Sequence, residues 1–238
     1  MRGLEDEEKV FVAHFDILGM SSVLRKSNGT AWQLLCDLAD ATDVEELPLS
    51  KELRDGIAER FFSDTIIMRT RGDDSDSLKA IIARAFELFR CAFRFGIPLR
   101  AGIAHGSWFE ASASDRHDLF TGDALLRAYY IGETQQLLSI AICDVARDGF
   151  LQNPFTFRSG APVIKDYLVP VKGGGHQNRA VLNWPAICQN EFRNLQPLTA
   201  QTLASYFSEF GHYETLGNSE RAKYENTVAF LRSTACIN

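Results

Sequence analysis

The chain has 238 residues, 45% of them hydrophobic, and a formal net charge of −6 at pH 7. This apolar content is enough to bury a core, and it excludes a disordered chain or a coiled coil. The negative charge argues against binding to a nucleic-acid backbone, which needs a basic face, so we expect no nucleic-acid partner.

The sequence shows no sign of a membrane span or a secretory leader. No apolar run approaches the roughly 20 residues of a transmembrane helix. The N-terminal stretch MRGLEDEEKV is acidic, whereas a signal peptide is basic and then apolar. The five cysteines are scattered without a CxxC pair, which is typical of reduced thiols. These features predict a cytoplasmic protein with no membrane contact.

The first predicted elements are a strand and two helices. The stretch KVFVAHFD (9–16) is β-branched and aromatic, as buried strands are, and ILGMSSVLRKS then takes up helical spacing. A second helix begins at Thr30. Asp16 therefore stands at the end of a strand in an apolar setting, where an unpartnered carboxylate costs several kcal/mol. It requires a cation, a hydrogen-bond donor or a metal beside it.

A hairpin and a long helix follow. The stretch ERFFSDTIIMRTR (59–71) predicts two apolar strands broken at Ser63-Asp64, as in a tight turn. Apolar residues at helical spacing then predict a helix that ends at Gly96. IPLRAGIAHGSWF (97–109) predicts a strand, GDALLRAYYIGETQQLL (122–138) a helix and SIAIC another strand.

The last predicted strands are VIKDYLVPVK and RAVLNWP, and the C-terminal third is helical. The intervening KGGGH (172–176) lacks the spacing of a phosphate-binding P-loop, so it predicts a hairpin connection. This element order predicts an α+β fold, in which helices pack on one side of a mixed or antiparallel sheet.

The same order places the first strand beside the hairpin, so Asp16 and Asp64 should meet at one edge of the sheet. Two carboxylates brought together repel each other, and divalent ions are a common remedy at phosphoryl-transfer sites. The structural alternative is that Asp16 caps the next helix and Asp64 forms a turn. Spacing alone leaves both readings open.

Three motifs in order, FDILG, ERFFSDT and LRAGIAHG, resemble the metal-binding strand, the second-aspartate hairpin and the next strand of class III nucleotidyl cyclases. The resemblance covers roughly residues 10–143. It implies a cyclase-like catalytic domain at 1–185 and a helical C-terminal extension at 186–238. By the same resemblance, two divalent ions (Mn²⁺ or Mg²⁺) are held by Asp16, Asp64 and the backbone carbonyl of Ile17. The substrate would be a nucleoside triphosphate, at sites shared across a homodimer.

The resemblance also implies substrate-binding residues, namely Phe15, Leu18, Gly19 and Arg60. Backbone N–H groups around Leu18 and Gly19, at the start of a helix, would hold phosphate oxygens. Arg60 lies four residues before Asp64, where purine cyclases carry a base-reading lysine.

The helix TGDALLRAYYIGE departs from the purine cyclases. The Asn and Arg that those enzymes use for the transition state are replaced by Leu126 and Tyr130. Arg127, one residue past the Asn position, is the implied catalytic substitute.

The combination of FDILG, FSD, RAY and a late LNW resembles the Pycsar pyrimidine cyclases, which make cyclic UMP or cyclic CMP as antiphage signals. It implies UTP as substrate in preference to CTP. The alternative from another class is a catalytically inactive cyclase-like module that binds a nucleotide or a partner. The missing Asn and Arg favour this alternative, whereas the two aspartates favour an enzyme.

Overall fold

The structure is a computed structural model that describes residues 8–40, 51–114, 117–157, 160–186 and 195–234. The strands in these ranges are β1 Glu8–Ile17, β2 Ala58–Phe62, β3 Thr65–Arg69, β4 Leu99–Ser114, β5 His117–Thr121, β6 Ile140–Ile142, β7 Ile164–Pro170 and β8 His176–Leu182. The α-helices are α1 Met20–Lys26, α2 Asn28–Asp40, α3 Lys51–Asp55, α4 Ser75–Arg94, α5 Asp123–Thr134, α6 Asp144–Gln152, α7 Ala200–Tyr206 and α8 Asn218–Ser233.

The strands form one sheet in the order β2-β3-β1-β4-β6-β8-β7, and β5 pairs with β4. The β4–β6 pair is parallel, and the other pairs are antiparallel. The end of β1 lies between β3 and the start of β4, because Asp16 is opposite both Thr65 and Arg100. This arrangement confirms the predicted α+β fold.

The two faces of β1 serve two separate apolar clusters. Phe11, Ala13, Phe15 and Ile17 join the main core, which also holds the buried face of α4. Val10 and Val12 point to the opposite face, where they meet small residues of α5. We expected helices on one side of the sheet, and α5 is the exception because it covers the other side.

Small residues explain how α5 reaches that face. Ala124, Ala128 and Gly132 recur every four residues, so they form one stripe along the helix. The stripe lies directly on Gly102 and Gly106 of β4, where an added Cβ atom would come within 2.2 Å and 2.8 Å of the α5 backbone. The helix and the strand therefore touch backbone to backbone.

The helix α5 ends at Thr134, four residues before the predicted end. Gln135 is extended and forms an antiparallel bridge with Val171. Its buried side-chain amide donates to the carbonyls of Ala101 (2.8 Å) and Ser139 (3.1 Å). The apolar residues that predicted a helix as far as residue 138 belong to an extended segment, which is held between β4 and β7. The sequence reading also missed α6.

The C-terminal helices pack into the same core as the sheet. Leu203 of α7 and Phe230 of α8 are fully buried in the main cluster with Trp184. Phe207, which follows α7, stacks edge-on against Phe93 of α4 at 5.5 Å between ring centroids. The division at 185/186 stays a prediction, because residues 187–194 lie outside the described ranges.

Two other expectations concern cysteines and membranes. Cys36, Cys91 and Cys143 are free thiols, whereas Cys188 and Cys236 lie outside the described residues. None of the helices in the described ranges combines the length and the apolar character needed to cross a bilayer.

The α5–β4 contact generates a stability prediction. A Cβ atom on Gly102 would lie 2.2 Å from the Ala128 carbonyl oxygen, so Gly102→Ala should lower the free energy of unfolding by about 1–3 kcal/mol. Gly72→Ala is the control, because its new Cβ would meet only the Ser77 hydroxyl at 3.7 Å. Urea denaturation followed by circular dichroism measures both changes. Equal stability of the two variants would contradict the close contact.

Candidate active site

Asp16 and Asp64 line the same polar cavity, as the element order predicts. The cavity has a volume of about 210 Å³, and its lining residues are His14, Asp16, Asp64, Thr65, Tyr129 and Glu133. The backbones also touch, because the N–H of Ile17 donates to the carbonyl of Asp64 at 2.8 Å. The expected meeting of the two carboxylates at one edge of the sheet is confirmed.

The β2–β3 turn positions Asp64. Phe62 pairs with Thr65, so Ser63 and Asp64 alone form the turn, as predicted. Ser63 has a φ of 55°, an uncommon conformation for a residue other than glycine. Because Thr65 is also opposite Asp16, the turn places Asp64 next to Ile17, the last residue of β1.

Asp16 has a cation as its partner within the chain. Arg100 is 4% exposed and lies opposite Asp16 on β4. Its Nε and Nη2 atoms both lie 2.7 Å from Asp16 Oδ2. The guanidinium also pairs with the Glu133 carboxylate and donates to the Glu133 carbonyl at 2.9 Å. Arg100 thus provides the charge compensation that the sequence required for Asp16.

A second cation extends this arrangement. Lys172 forms an ion pair with Glu133, and its backbone N–H donates to the Thr134 carbonyl at 2.7 Å. Asp16, Arg100, Glu133 and Lys172 therefore follow one another as alternating charges, which we call the charge chain. Lys172 lies in the loop that joins β7 and β8, which confirms the predicted hairpin connection.

The carboxylate oxygens of Asp16 and Asp64 that Arg100 does not bind suit a divalent ion that is shared with a substrate. No group of three His, Cys, Asp or Glu residues gathers as a metal site among the described residues. Arg100 occupies only Oδ2 of Asp16, and the Asp64 carboxylate has no hydrogen bond or ion pair within the described part of the chain. Mg²⁺ is commonly held by one or two carboxylates together with substrate phosphates. The residues fit such a site and not an all-protein cage.

The geometry at Ile17 is compatible with its predicted role. The N–H and C=O of one strand residue face the same neighbouring strand. Because the Ile17 N–H donates to Asp64, its carbonyl also faces the Asp64 side. Its role as a third metal ligand stays a prediction.

Two of the predicted substrate-binding residues have contacts within the protein at the end of β1. The Phe15 side chain is fully buried in the main core. The N–H of Leu18 donates to the Pro98 carbonyl at 2.9 Å. The contacts of Phe15 and Leu18 with a substrate stay predictions. Gly19 has a φ of 80° and lies against Phe210, whose carbonyl would be 2.9 Å from an added Cβ atom.

Arg60 and Arg127 lie outside the polar cavity of their own chain. Arg60 pairs with Glu110 and lies over the Phe120 ring, 5.6 Å from its centroid. The Arg127 side chain is 60% exposed on α5, and its nearest carboxylate is Asp123 at 3.8 Å. The structure therefore does not bring the two arginines to the two aspartates within one chain.

A larger apolar cavity of about 520 Å³ adjoins the polar one. The two cavities share His14 and Tyr129, whose rings meet edge to face at 5.3 Å. The other lining residues are Ile67, Ser107, Phe109, Thr121, Gly122, Asp123, Leu125 and Leu126. Burial lowers the pKa of His14, opposed by the charge of Asp16, so the imidazole is neutral near pH 7.

No protein-family model matches the sequence, and no curated protein matches it. Solved structures do match. The catalytic core of a rhodopsin-guanylyl cyclase with converted specificity, in complex with ATPαS, aligns with a TM-score of 0.55 and 16% identity, over 76% of this chain and 99% of that chain. The chain has the class III nucleotidyl cyclase fold.

Two further guanylyl cyclase domains align with this chain to a similar extent. The domain of RhGC from Catenaria anguillulae, in complex with GTP, aligns with a TM-score of 0.54 and 16% identity, over 74% of this chain and 98% of that one. A dimeric domain of the RhoGC fusion protein from the aquatic fungus Blastocladiella emersonii aligns with a TM-score of 0.53 and 15% identity, over 75% and 96%. At these identities the likeness concerns the fold.

The sequence reading missed three charged residues of the site. Arg100 lies within the motif LRAGIAHG, but its position opposite Asp16 requires the strand register. Glu133 lies near the end of a helix, and Lys172 precedes three glycines. The signal for Lys172 and Glu133 was weak, because each resembles an ordinary surface residue until the sheet order is known.

The charge chain generates a second stability prediction. Arg100→Met would leave Asp16 and Glu133 without their shared cation. We expect unfolding to become easier by about 2–3 kcal/mol, less than for a fully buried pair because both carboxylates are partly exposed. Arg127→Met, which removes an exposed arginine, should change stability by no more than about 0.5 kcal/mol. Chemical denaturation tests this, and an Arg100→Met protein as stable as the Arg127→Met protein would refute it.

Proposed function

We propose that this protein converts a nucleoside triphosphate into its 3′,5′-cyclic monophosphate and pyrophosphate. The observation that carries the proposal is the meeting of Asp16 and Asp64 beside the buried cation Arg100, in a polar cavity that adjoins an apolar one. Binding sites for small molecules are commonly concave and mostly apolar, with a few converging polar groups. The cyclase fold supports the assignment.

The two carboxylates and the Ile17 carbonyl would hold two divalent ions, Mg²⁺ or Mn²⁺. When bound, such ions activate the ribose 3′-hydroxyl and neutralise charge on the phosphates. In the reaction, the 3′-oxygen forms a bond to the α-phosphorus while the bond to the pyrophosphate oxygen breaks, and the hydroxyl proton leaves to solvent. This chemistry depends on positioning and charge more than on a strong protein base.

The protein's own cations would orient the polyphosphate. Arg100 would act through its positive charge, because all three nitrogen atoms of its guanidinium already bind Asp16, Glu133 or Gln135. The apolar cavity would take the nucleoside next to the phosphates, because His14 and Tyr129 border both cavities. Gly19 remains a proposed phosphate contact.

We propose UTP as the substrate, in preference to CTP. Arg60 replaces the lysine that purine cyclases use to read the base, and an arginine offers several donors to carbonyl oxygens such as those of uracil. Its partner Glu110 holds the guanidinium in place and contributes an acceptor next to it. The resemblance to Pycsar cyclases supports cyclic UMP as a signal in antiphage defence.

We further propose a homodimer with two shared sites. Arg60 and Arg127 lie away from the aspartates of their own chain, whereas a two-fold partner can supply them from the other side. The α5 surface that would face a partner is apolar and exposed, since Leu126 is 51% and Tyr130 56% exposed. One of the similar solved domains is dimeric.

The second candidate is a catalytically inactive module that binds a nucleotide. It is favoured by Leu126 and Tyr130, which occupy positions where purine cyclases have an Asn and an Arg. Such a module would bind a nucleoside triphosphate and release no pyrophosphate, which separates it from the enzyme.

Incubation with each of UTP, CTP, ATP and GTP in Mn²⁺ tests the proposal, with products separated by chromatography. Cyclic UMP should form fastest.

Asp64→Asn should reduce turnover about a thousandfold or more, because metal binding supplies several kcal/mol to the transition state. Asp76→Asn, at an exposed aspartate on α4, is the matched control and should retain full activity. Binding of UTP without any product would establish the inactive module instead. A folded, active Asp64→Asn protein would exclude the two-metal site.

Subunit mixing tests the shared sites. Asp64→Ala and Arg60→Ala should each be inactive, and an equal mixture should regain about a quarter of wild-type activity, because half the dimers are mixed and each has one intact site. Mixing Asp64→Ala with Asp16→Ala is the control. Both changes damage the same half of a site, so no activity should return. Failure of the first mixture after confirmed subunit exchange would exclude the shared-site arrangement.

A further inference from the structure

One segment of the C-terminal region contacts two turns at the end of the sheet that holds Asp16. The segment comprises residues 206–210 and begins at the last residue of α7, and we call it the brace. Two of its side chains, Phe207 and Phe210, are 1% and 3% exposed and belong to the main core. The proposed mechanism assigns no role to the brace, although it lies against the turn that follows β1.

The contact between the brace and the β1–α1 turn is made by backbone atoms. Gly19 lies in this turn with a φ of 80°, and an added Cβ atom would be 2.9 Å from the Phe210 carbonyl oxygen and 3.3 Å from the Phe210 Cβ. At the other end of α1, the Lys26 ammonium donates to the Glu209 carbonyl at 3.0 Å. The brace therefore contacts α1 at its beginning and at its end.

The brace also contacts the turn between α4 and β4. Gly96 has a φ of 69° there, and an added Cβ atom would be 3.0 Å from the Tyr206 carbonyl oxygen. The Tyr206 hydroxyl donates to the Arg94 carbonyl at 3.3 Å, and its ring stacks on Phe93 at 5.2 Å between centroids. Because α4 is a 20-residue helix with a buried face in the main core, it gives the brace a fixed support.

The two turns are joined to each other and to the candidate site. The Leu18 N–H donates to the Pro98 carbonyl at 2.9 Å, and the Ile17 N–H donates to the Asp64 carbonyl at 2.8 Å. A movement of the β1–α1 turn would therefore displace the Ile17 carbonyl and Asp16 relative to Asp64. A displacement of about 1 Å in a reacting arrangement can reduce the rate on the order of 100-fold.

We infer that the brace holds the β1–α1 turn in place and thereby fixes the position of Asp16 and the Ile17 carbonyl, which makes Phe210 a positioning residue of the candidate site. The inference rests on the proposed function for the role of Asp16 and Ile17, and it deepens that function. Phe210 supplies both the carbonyl that contacts the turn and the ring that anchors the brace in the core. Loss of the ring would let the turn open locally while the rest of the sheet stays folded.

Amide hydrogen exchange, followed by NMR without metal or nucleotide, tests the brace. In Phe210→Ala, the N–H groups of Ile17 and Leu18 should exchange about 10-fold faster relative to those in the middle of α4, because the turn loses its support. Phe210→Leu keeps an apolar anchor and should restore most of the slow exchange. Phe157→Ala is the matched control, because Phe157 is 2% exposed in the same core but follows α6 and packs against Phe86 at 4.9 Å. It should leave the ratio unchanged.

The proposed reaction gives a second measurement. Phe210→Ala should lower kcat about 10- to 100-fold at saturating UTP and Mn²⁺, because Asp16 and the Ile17 carbonyl no longer keep their position beside Asp64. Phe157→Ala should retain the kcat of the wild type. Full activity of a folded Phe210→Ala protein would overturn the positioning role.

An exchange ratio that does not change in Phe210→Ala, or that rises equally in Phe157→Ala, would also overturn the inference. If Phe210→Ala fails to fold, Lys26→Met decides by the same measurement, because it removes only the bond to Glu209 at the protein surface. Exchange about threefold faster supports the brace, as expected for one lost hydrogen bond, and unchanged exchange overturns it. The proposed function is judged separately. A changed ratio without any cyclic product supports the brace alone, whereas cyclic nucleotide with an unchanged ratio leaves the cyclase standing without the brace.

Discussion

The ion pair between Arg100 and Asp16 is the interaction on which the site depends. A carboxylate at the end of a central strand is costly in apolar surroundings, and the guanidinium directly opposite on β4 offsets that cost. Arg100 is itself held by the carbonyl and the carboxylate of Glu133, at the end of α5. Strand register and helix position thus jointly decide where the charge of Asp16 lies. The same contacts leave the second oxygen of Asp16 and both oxygens of Asp64 open toward the cavity.

The elements that local pattern defines were predictable. The β-branched run before Asp16, the break at Ser63-Asp64 and the stripe of apolar residues in α4 each specify one structure, and the sheet confirms them. The side of the sheet that α5 covers was not predictable. Small residues at every fourth position indicate that the helix packs closely on another element, but they do not indicate on which face of the sheet it packs. The end of α5 was misplaced because a tertiary bridge at Gln135 overrides helical spacing.

The candidate site was predictable only in its carboxylates. Asp16 and Asp64 stood out because a charge interrupts apolar sequence, and element order alone placed them together. Arg100, Glu133 and Lys172 come from three different parts of the fold, and each is ordinary in its own sequence context. Their proximity depends on the crossover from β4 through α5 to β6 and on the pairing of the β7–β8 hairpin with β6, which no local pattern encodes. Long-range topology therefore determines where most of the charged residues of the site lie.

The glycine contacts between β4 and α5 have a mechanical consequence. Where side chains separate two elements, small rotamer changes let one slide past the other, as in shear motions. Gly102 and Gly106 leave no such layer, since the backbones themselves are in contact. Strand and helix must then move as one rigid body, together with Arg100 on the strand and Glu133 on the helix. A displacement of α5 caused by contact with its exposed side would therefore move Arg100 and Glu133 by the same amount.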